Sequence, residues 1–402
     1  MGKAVFYNIP ASGHVNPSLP VVSELVAAGE EVIYYAASGH RRRVEASGAV
    51  YRAYSQVPDD YFYVTGLDGS CPPATALALA RTTRDVIPEL LEQARKDNPD
   101  YVIYDSMCPW GFLVARILGV PSICSSTFMV FTIPLVLRSP AMFSLVAGTL
   151  RGLPQLRRYF ATMGSIRREH RVPTPGYPEV FALPADLVIN YTSALFQPGA
   201  QRMAGRVLFV GPSIGPRADD PEFPFDALDD RPLVYVSLGT VNNLHPEFFR
   251  TCIAAYRGSP YRVVMSVGEH LSVADLGPIP ANFIVRPQVP QLAVLERAAV
   301  FVNHAGMNSV QEGLVHGVPL IAVPQSPEQT TIARRLVRLE AGAMLTMRQM
   351  TSDRLLNLTE QVLTSDRYRQ GAARLQDEIQ AAGGYRRAAQ EILAAVRTTA
   401  RS

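Results

Sequence analysis

Residues 289–334 constrain the fold more than any other stretch of the chain. They contain Val300-Phe-Val-Asn-His304, a short apolar run, then Ala305-Gly306, then the helix-periodic Met307-Asn308-Ser309-Val-Gln-Glu312-Gly313. An apolar β-branched run, a glycine turn and a helical pattern, in that order, make a strand feeding a helix. Open α/β sheets bind ligands where such strands end. The helix start offers bare backbone N–H groups and a positive dipole end, which suits phosphate. His304 stands at the strand tip, Gly306 lets the backbone approach an anion closely, and Asn308 and Ser309 open the helix. The Ser309 hydroxyl can donate to the same anion, and Glu312, one turn on, can accept from paired sugar hydroxyls. Leu320-Ile-Ala-Val-Pro324 follows, and Glu328-Gln329 supplies the carboxylate and amide that polyhydroxyl recognition needs. Phosphate, ribose and hexose recognition in one segment describes a nucleotide sugar.

The rest of the chain repeats the strand–helix rhythm twice. Strands are expected over 3–9, 31–36, 50–54, 101–104, 121–124, 186–190 and 207–210, then over 233–237, 262–267, 283–286 and 300–304. Between them lie helical patterns over 74–96, 109–118 and 246–256, with three more over 351–363, 368–382 and 385–399. Asn16-Pro17 reads as a helix cap and first helical position, with Gly29 as the stop. Such alternation predicts parallel, doubly wound sheets. A chain of 402 residues is too long for one ordinary core. Two domains are therefore expected, over 1–211 and 232–402. A Pro- and Asp-rich linker over 212–231 joins them. Residues 126–180 break the rhythm and read as an irregular, partly helical insert.

Two further groups carry chemistry. His14, in a glycine-flanked turn after the first strand, is the side chain suited to taking a proton from a hydroxyl near neutral pH. Asp105 ends another strand of the same predicted sheet, where it can either orient His14 or cap the helix starting near Pro109. Ser237-Leu-Gly239-Thr240 is a strand-end turn whose hydroxyls and N–H groups can face the same phosphate as His304. Tyr61, Phe62, Trp110, Phe128, Met129, Phe131, Met142 and Phe143 supply apolar surface for an aromatic or macrocyclic acceptor, or else ordinary core.

From Asn8 to the C-terminal helices, the chain resembles the UDP-sugar-dependent glycosyltransferases of small molecules, in particular the bacterial macrolide type. The resemblance implies the GT-B architecture: two Rossmann-like domains facing a cleft, acceptor on the first, nucleotide sugar on the second, the helix over 385–399 packing back on the first. It implies that Gly13-His14-Val-Asn-Pro carries the base and Asp105 its support, and that UDP-sugar is a co-substrate rather than a cofactor. The donor set it implies also includes Val289, Gln291 and Met307. Glu328-Gln329 matches the family's Asp-Gln with Glu for Asp, and Ile332 stands where an Asn often follows. Gln288 stands where an aromatic residue commonly stacks on the base, while Gln291 can bond the base edge. The expected reaction is an inverting, metal-independent hexosyl transfer, with glucose as the sugar. A nucleotide-sugar epimerase or hydrolase of the same fold, or a non-catalytic sensor, are the alternatives.

Composition narrows the remainder. A net charge of +3 is too small for a nucleic-acid binder. Cys71, Cys108, Cys124 and Cys252 form no CxxC, which fits a reducing cytoplasm. The most apolar stretch, 128–149, is broken by Pro134, Arg138 and Pro140, so no membrane span is expected. Asp59-Asp60, Asp219-Asp220 and Asp229-Asp230 read as solvated loops rather than hard-cation ligands, and no obligatory metal is expected. Monomer and dimer both remain open.

Overall fold

The computed structural model describes residues 2–58, 61, 71–130, 142–216, 222–239 and 244–399, with only the backbone for 142–145 and 399. The chain divides into two compact units, Met1–Gly215 with Ala382–Ser402, and Pro216–Ala381.

The first unit holds β1 (Lys3–Tyr7), β2 (Glu31–Ala36), β3 (Val50–Ala53), β4 (Tyr101–Asp105), β5 (Ser122–Ser126), β6 (Leu187–Asn190) and β7 (Val207–Phe209). They form one parallel sheet in the order β3-β2-β1-β4-β5-β6-β7. Its helices include α1 (Ser12–Ala27), α2 (Arg41–Ala46), α3 (Pro72–Asp97), α4 (Pro109–Leu118), α5 (Met142–Arg151) and α6 (Leu153–His170). Successive strand residues point to opposite faces, and both faces here are covered. In β1, Val5 and Tyr7 pack with Leu90, Trp110, Leu113 and Tyr159, while Ala4 and Phe6 pack with Val15, Val22 and Leu25. That is why β1 reads as an unbroken apolar run. The chain winds outwards in opposite directions from β1 and β4, so the ligand-binding crevice of this topology opens at their carboxyl ends.

The second unit repeats the plan. Its strands are β8 (Leu233–Ser237), β9 (Arg262–Ser266), β10 (Phe283–Arg286), β11 (Ala298–Asn303), β12 (Leu320–Ala322) and β13 (Gly342–Met344). The parallel order is β10-β9-β8-β11-β12-β13, which puts its switch point between β8 and β11. Its helices are α7 (Pro246–Tyr256), α8 (Gln291–Leu295), α9 (Met307–Val315), α10 (Pro327–Arg338), α11 (Ser352–Thr364) and α12 (Asp366–Ala382). The last helix, α13 (Gly384–Thr399), belongs to the first unit. Its buried Ala388, Ala389 and Ile392 join Val15, Val22 and Leu25 of α1 over the face of that sheet that carries Ala4 and Phe6.

Three expectations change. α1 starts at Ser12, not at Asn16, and runs through Pro17 and Pro20. Asn16 lies inside α1 and does not cap it; its side-chain Oδ1 accepts from Arg43 Nη2 at 2.7 Å. The insert is partly helical, as expected, with α5 and α6 as its helices. Residues after 221 are not free linker: Phe223 is buried, and Arg297 lies over the Phe225 ring at 4.8 Å. β13, Gly-Ala-Met, is an additional strand.

Candidate active site

The first unit brings His14 and Asp105 together across 91 positions of sequence. His14 Nδ1 lies 2.7 Å from Asp105 Oδ2, and both groups are buried. His14 sits in the first turn of α1 rather than in the turn before it. Asp105 ends β4, with its other oxygen accepting from the Met107 N–H at 2.8 Å. Thr127, after β5, approaches the same Nδ1 at 3.3 Å, and the Phe128 ring meets the imidazole edge-on at 4.8 Å. Since the carboxylate occupies Nδ1, the ring presents Nε2 on its opposite side. Asp105 thus orients the ring instead of capping α4. Beneath it, Asn8 Nδ2 donates to the His14 carbonyl at 3.3 Å and to Ser18 Oγ at 3.2 Å, which ties the helix start to the end of β1.

The expected apolar wall divides. Trp110 is fully buried, its indole N–H donating to Tyr54 Oη at 3.2 Å, and Tyr61 is buried with its hydroxyl 2.8 Å from Thr82 Oγ1. Both belong to the core between sheet and helices, so they are corrections to the acceptor set. Met129 is likewise buried, whereas Phe128 is half-buried beside His14. Phe62 and Phe131 lie outside the described residues, as do the side chains of Met142 and Phe143.

In the second unit, β8 and β11 place Ser237, Gly239 and His304 at adjoining strand ends. Ser237 Oγ accepts from the Gly239 N–H at 3.2 Å and closes that turn. Thr240 lies outside the described residues. Gly239 and Gly306 bracket the His304 ring. A Cβ on Gly239 would come within 2.6 Å of His304 Cε1, and one on Gly306 within 2.3 Å of Nε2. Both glycines therefore make room for the imidazole, a role their spacing does not reveal. Gly239 also has φ +78, which favours glycine. Burial pulls the His304 pKa down to about 4, and its Nδ1 is buried without a hydrogen-bond partner. At neutral pH the side chain is thus an uncharged hydrogen-bonding group.

The turn after His304 is held by Asn303, whose Oδ1 accepts from the Ala305 N–H at 2.7 Å. Ala305 sits at φ +62, a conformation costing an L-residue roughly 1–2 kcal/mol. α9 then begins after Gly306, which has no side chain to cap it, and a helix start suits an anion. Met307 is buried in this turn; Asn308 and Ser309 are half-buried.

Glu312 is buried, not on a solvated helix face. It accepts from Gln291 Nε2, and Gln291 Oε1 in turn accepts from Tyr235 Oη at 2.8 Å. Each end of the Gln291 amide thus has one partner within the protein, with a second N–H and a second lone pair left over. Gln288 is exposed and donates to Glu269 Oε1 at 2.8 Å; Val289 is half-buried. Gln329 is committed to the start of α10: its N–H donates to Ser326 Oγ, and its Oε1 accepts from the Gln325 N–H at 2.8 Å. Glu328 is half-buried on the first turn of the same helix. Tyr235, Asn303 and Thr127 escaped sequence reasoning, because each reads as ordinary strand or strand-end residue.

Among the described residues, no three His, Cys, Asp or Glu side chains gather as a metal site, and no helix is long and apolar enough to cross a membrane. Asp229 pairs with Arg231 at 2.6 Å, and that partner holds its carboxyl at about 2. Asp59, Asp60, Asp219 and Asp220 lie outside the described residues.

Two parallel sheets, each with polar groups at its own switch point, match the crystal structure of CalG4, the calicheamicin glycosyltransferase. The TM-score is 0.81 at 28% identity, over 98% of either chain. The fold is GT-B and the protein is a glycosyltransferase. The family model described as UDP-glucoronosyl and UDP-glucosyl transferase matches residues 216–379. The uncharacterized UDP-glucosyltransferase YojK of Bacillus subtilis (strain 168) is 32% identical, over 100% of this chain and 99% of its own. The oleandomycin glycosyltransferase of Streptomyces antibioticus is 32% identical, over 95% and 88%. The chain belongs to this UDP-glycosyltransferase family, alongside its macrolide-type bacterial members.

Proposed function

We propose that the chain moves glucose from UDP-glucose to a hydroxyl of a hydrophobic natural product, inverting the anomeric centre without an obligatory metal. The observation that carries this reading is the buried His14–Asp105 pair at 2.7 Å on a sheet switch point. His14 Nε2 takes the acceptor proton as the hydroxyl oxygen attacks the anomeric carbon. The bond from that carbon to the diphosphate breaks, and its electron pair leaves with UDP. Asp105 fixes the tautomer and stabilises the imidazolium that forms. The start of α9, with Ser309 and neutral His304 as donors, stabilises the departing diphosphate. Phe128, edge-on to His14, is the described aromatic residue suited to packing an apolar acceptor there. The UDP-glucosyltransferase and oleandomycin glycosyltransferase relatives support this choice of donor and acceptor class.

The test is UDP release from UDP-glucose, with and without phenols, flavonoids and macrolides, in EDTA, with products weighed. Acceptor-dependent release and a product heavier by one hexosyl unit are expected. His14→Ala should cost about 10²–10⁴ in turnover. Near-full turnover in that variant would remove His14 as the base, and release without acceptor would mean hydrolysis or epimerisation instead.

A further inference from the structure

Three side chains from three elements form a buried, directional line in the second unit. Tyr235 stands within β8, its ring stacked on Phe301 of β11 at 4.6 Å and 14°. That stacking fixes where its hydroxyl points. The hydroxyl meets Gln291 Oε1 at 2.8 Å, at the first position of α8. Gln291 Nε2 meets Glu312 Oε2 on α9. Tyr235 and Glu312 are 1% and 3% exposed, so neither has bulk water as a substitute partner.

The direction of the line follows from what each group can do. An ionised carboxylate only accepts, so Gln291 must turn its NH2 towards Glu312. Its carbonyl then faces Tyr235, which must donate. Burial keeps the Tyr235 proton in place, since it pushes the phenol well above its ordinary range. Remove the phenol hydroxyl and the half-buried carbonyl of Gln291 loses this donor, while the reversed amide would aim a carbonyl at a carboxylate.

We propose that Tyr235 is a positioning residue for the nucleotide: acting through Gln291, it holds the Glu312 carboxylate in the orientation that receives the ribose hydroxyls. The proposal rests on the reading of Glu312 as the ribose acceptor. Tyr235 touches no substrate in this scheme. It sets how sharply the site tells ribose from 2′-deoxyribose, because that distinction depends on where Glu312 points.

The experiment is calorimetric binding of UDP and of dUDP to the full chain, which involves neither the sugar nor the acceptor. Hydrogen bonds to charged groups imply a preference of wild type for UDP of roughly tenfold or more. Glu312→Gln should abolish most of it. Tyr235→Phe should reduce it by about fivefold, mainly by weakening UDP, and should raise the donor KM more than it lowers kcat. Gln291→Met, on the partly exposed start of α8, should act in the same way and carries the test if Tyr235→Phe does not fold. No preference in wild type, or an unchanged one in Glu312→Gln, would overturn the ribose reading and this proposal with it. Loss in Glu312→Gln with full preference in Tyr235→Phe and Gln291→Met would leave the ribose reading standing and overturn the role of Tyr235. Equal weakening of UDP and dUDP would assign Tyr235 a merely structural part.

Discussion

Gly306→Ala isolates what that glycine does. Its φ is −66, so alanine meets no backbone strain there, and the added methyl acts only through what it touches. It would lie 2.3 Å from His304 Nε2 and 2.9 Å from Cε1. Ordinary carbon contacts lie near 3.5 Å, so the ring must withdraw by roughly 1.2 Å. Overpacking of this kind costs about 1–3 kcal/mol of stability. A shift of about 1 Å in a group aimed at the leaving diphosphate costs roughly 100-fold in turnover. The assay is a double-mutant cycle in turnover and urea unfolding over wild type, Gly306→Ala, His304→Ala and the pair. Without the imidazole the methyl has room, so Gly306→Ala should be nearly silent in the His304→Ala background, a coupling of about 2 kcal/mol. If Gly306→Ala costs the same factor in both backgrounds, the glycine serves the backbone's approach to phosphate, and the account of it as space for the ring is wrong.

Two other outcomes follow from the packing. His304 has a folded pKa near 4 because of burial, against an ordinary 6.5. Above pH 6.5 it is neutral folded or unfolded; as pH falls from about 6.5 to about 4, only the unfolded chain takes up the proton, and stability is lost. Urea unfolding at pH 7 and pH 5 should show wild type losing on the order of 2 kcal/mol more than His304→Gln, and equal losses would contradict it. Ile392, 2% exposed on α13, packs on the face of the first sheet that carries Ala4 and Phe6, so Ile392→Ala should destabilise by about 3 kcal/mol in the same assay.

Much of this was legible in the residues because parallel strands are buried on both faces. Runs such as Glu31–Ala36 and Phe283–Arg286 declare themselves without needing an alternating pattern. His14 and Asp105 could be matched because each follows a strand of one sheet, whose carboxyl edge gathers them whatever their separation. Other features gave no such signal. β13 has no β-branched residue, so Gly342–Met344 carries no strand propensity and is made a strand by its pairing with β12. Asn16-Pro17 imitates a helix start that the chain passes through. Trp110 and Tyr61 show why aromatic content cannot locate a pocket: which face of a helix meets the sheet is settled by packing. The space that Gly239 and Gly306 give His304 depends on β8 lying beside β11, a relation between segments some 65 positions apart.

The helix α13 has a consequence for the order in which the protein is made. A ribosome delivers all seven strands of the first sheet before any of the second, yet Ala388, Ala389 and Ile392, which complete the cluster around Val15, Val22 and Leu25 of α1, come only with residues 384–399. The second unit, whose residues are contiguous, can close its sheet while the first still waits. The unit whose strands are made first is thus completed last, and a chain stopped before residue 384 would leave a finished second unit joined to a first unit that lacks part of the cluster around α1.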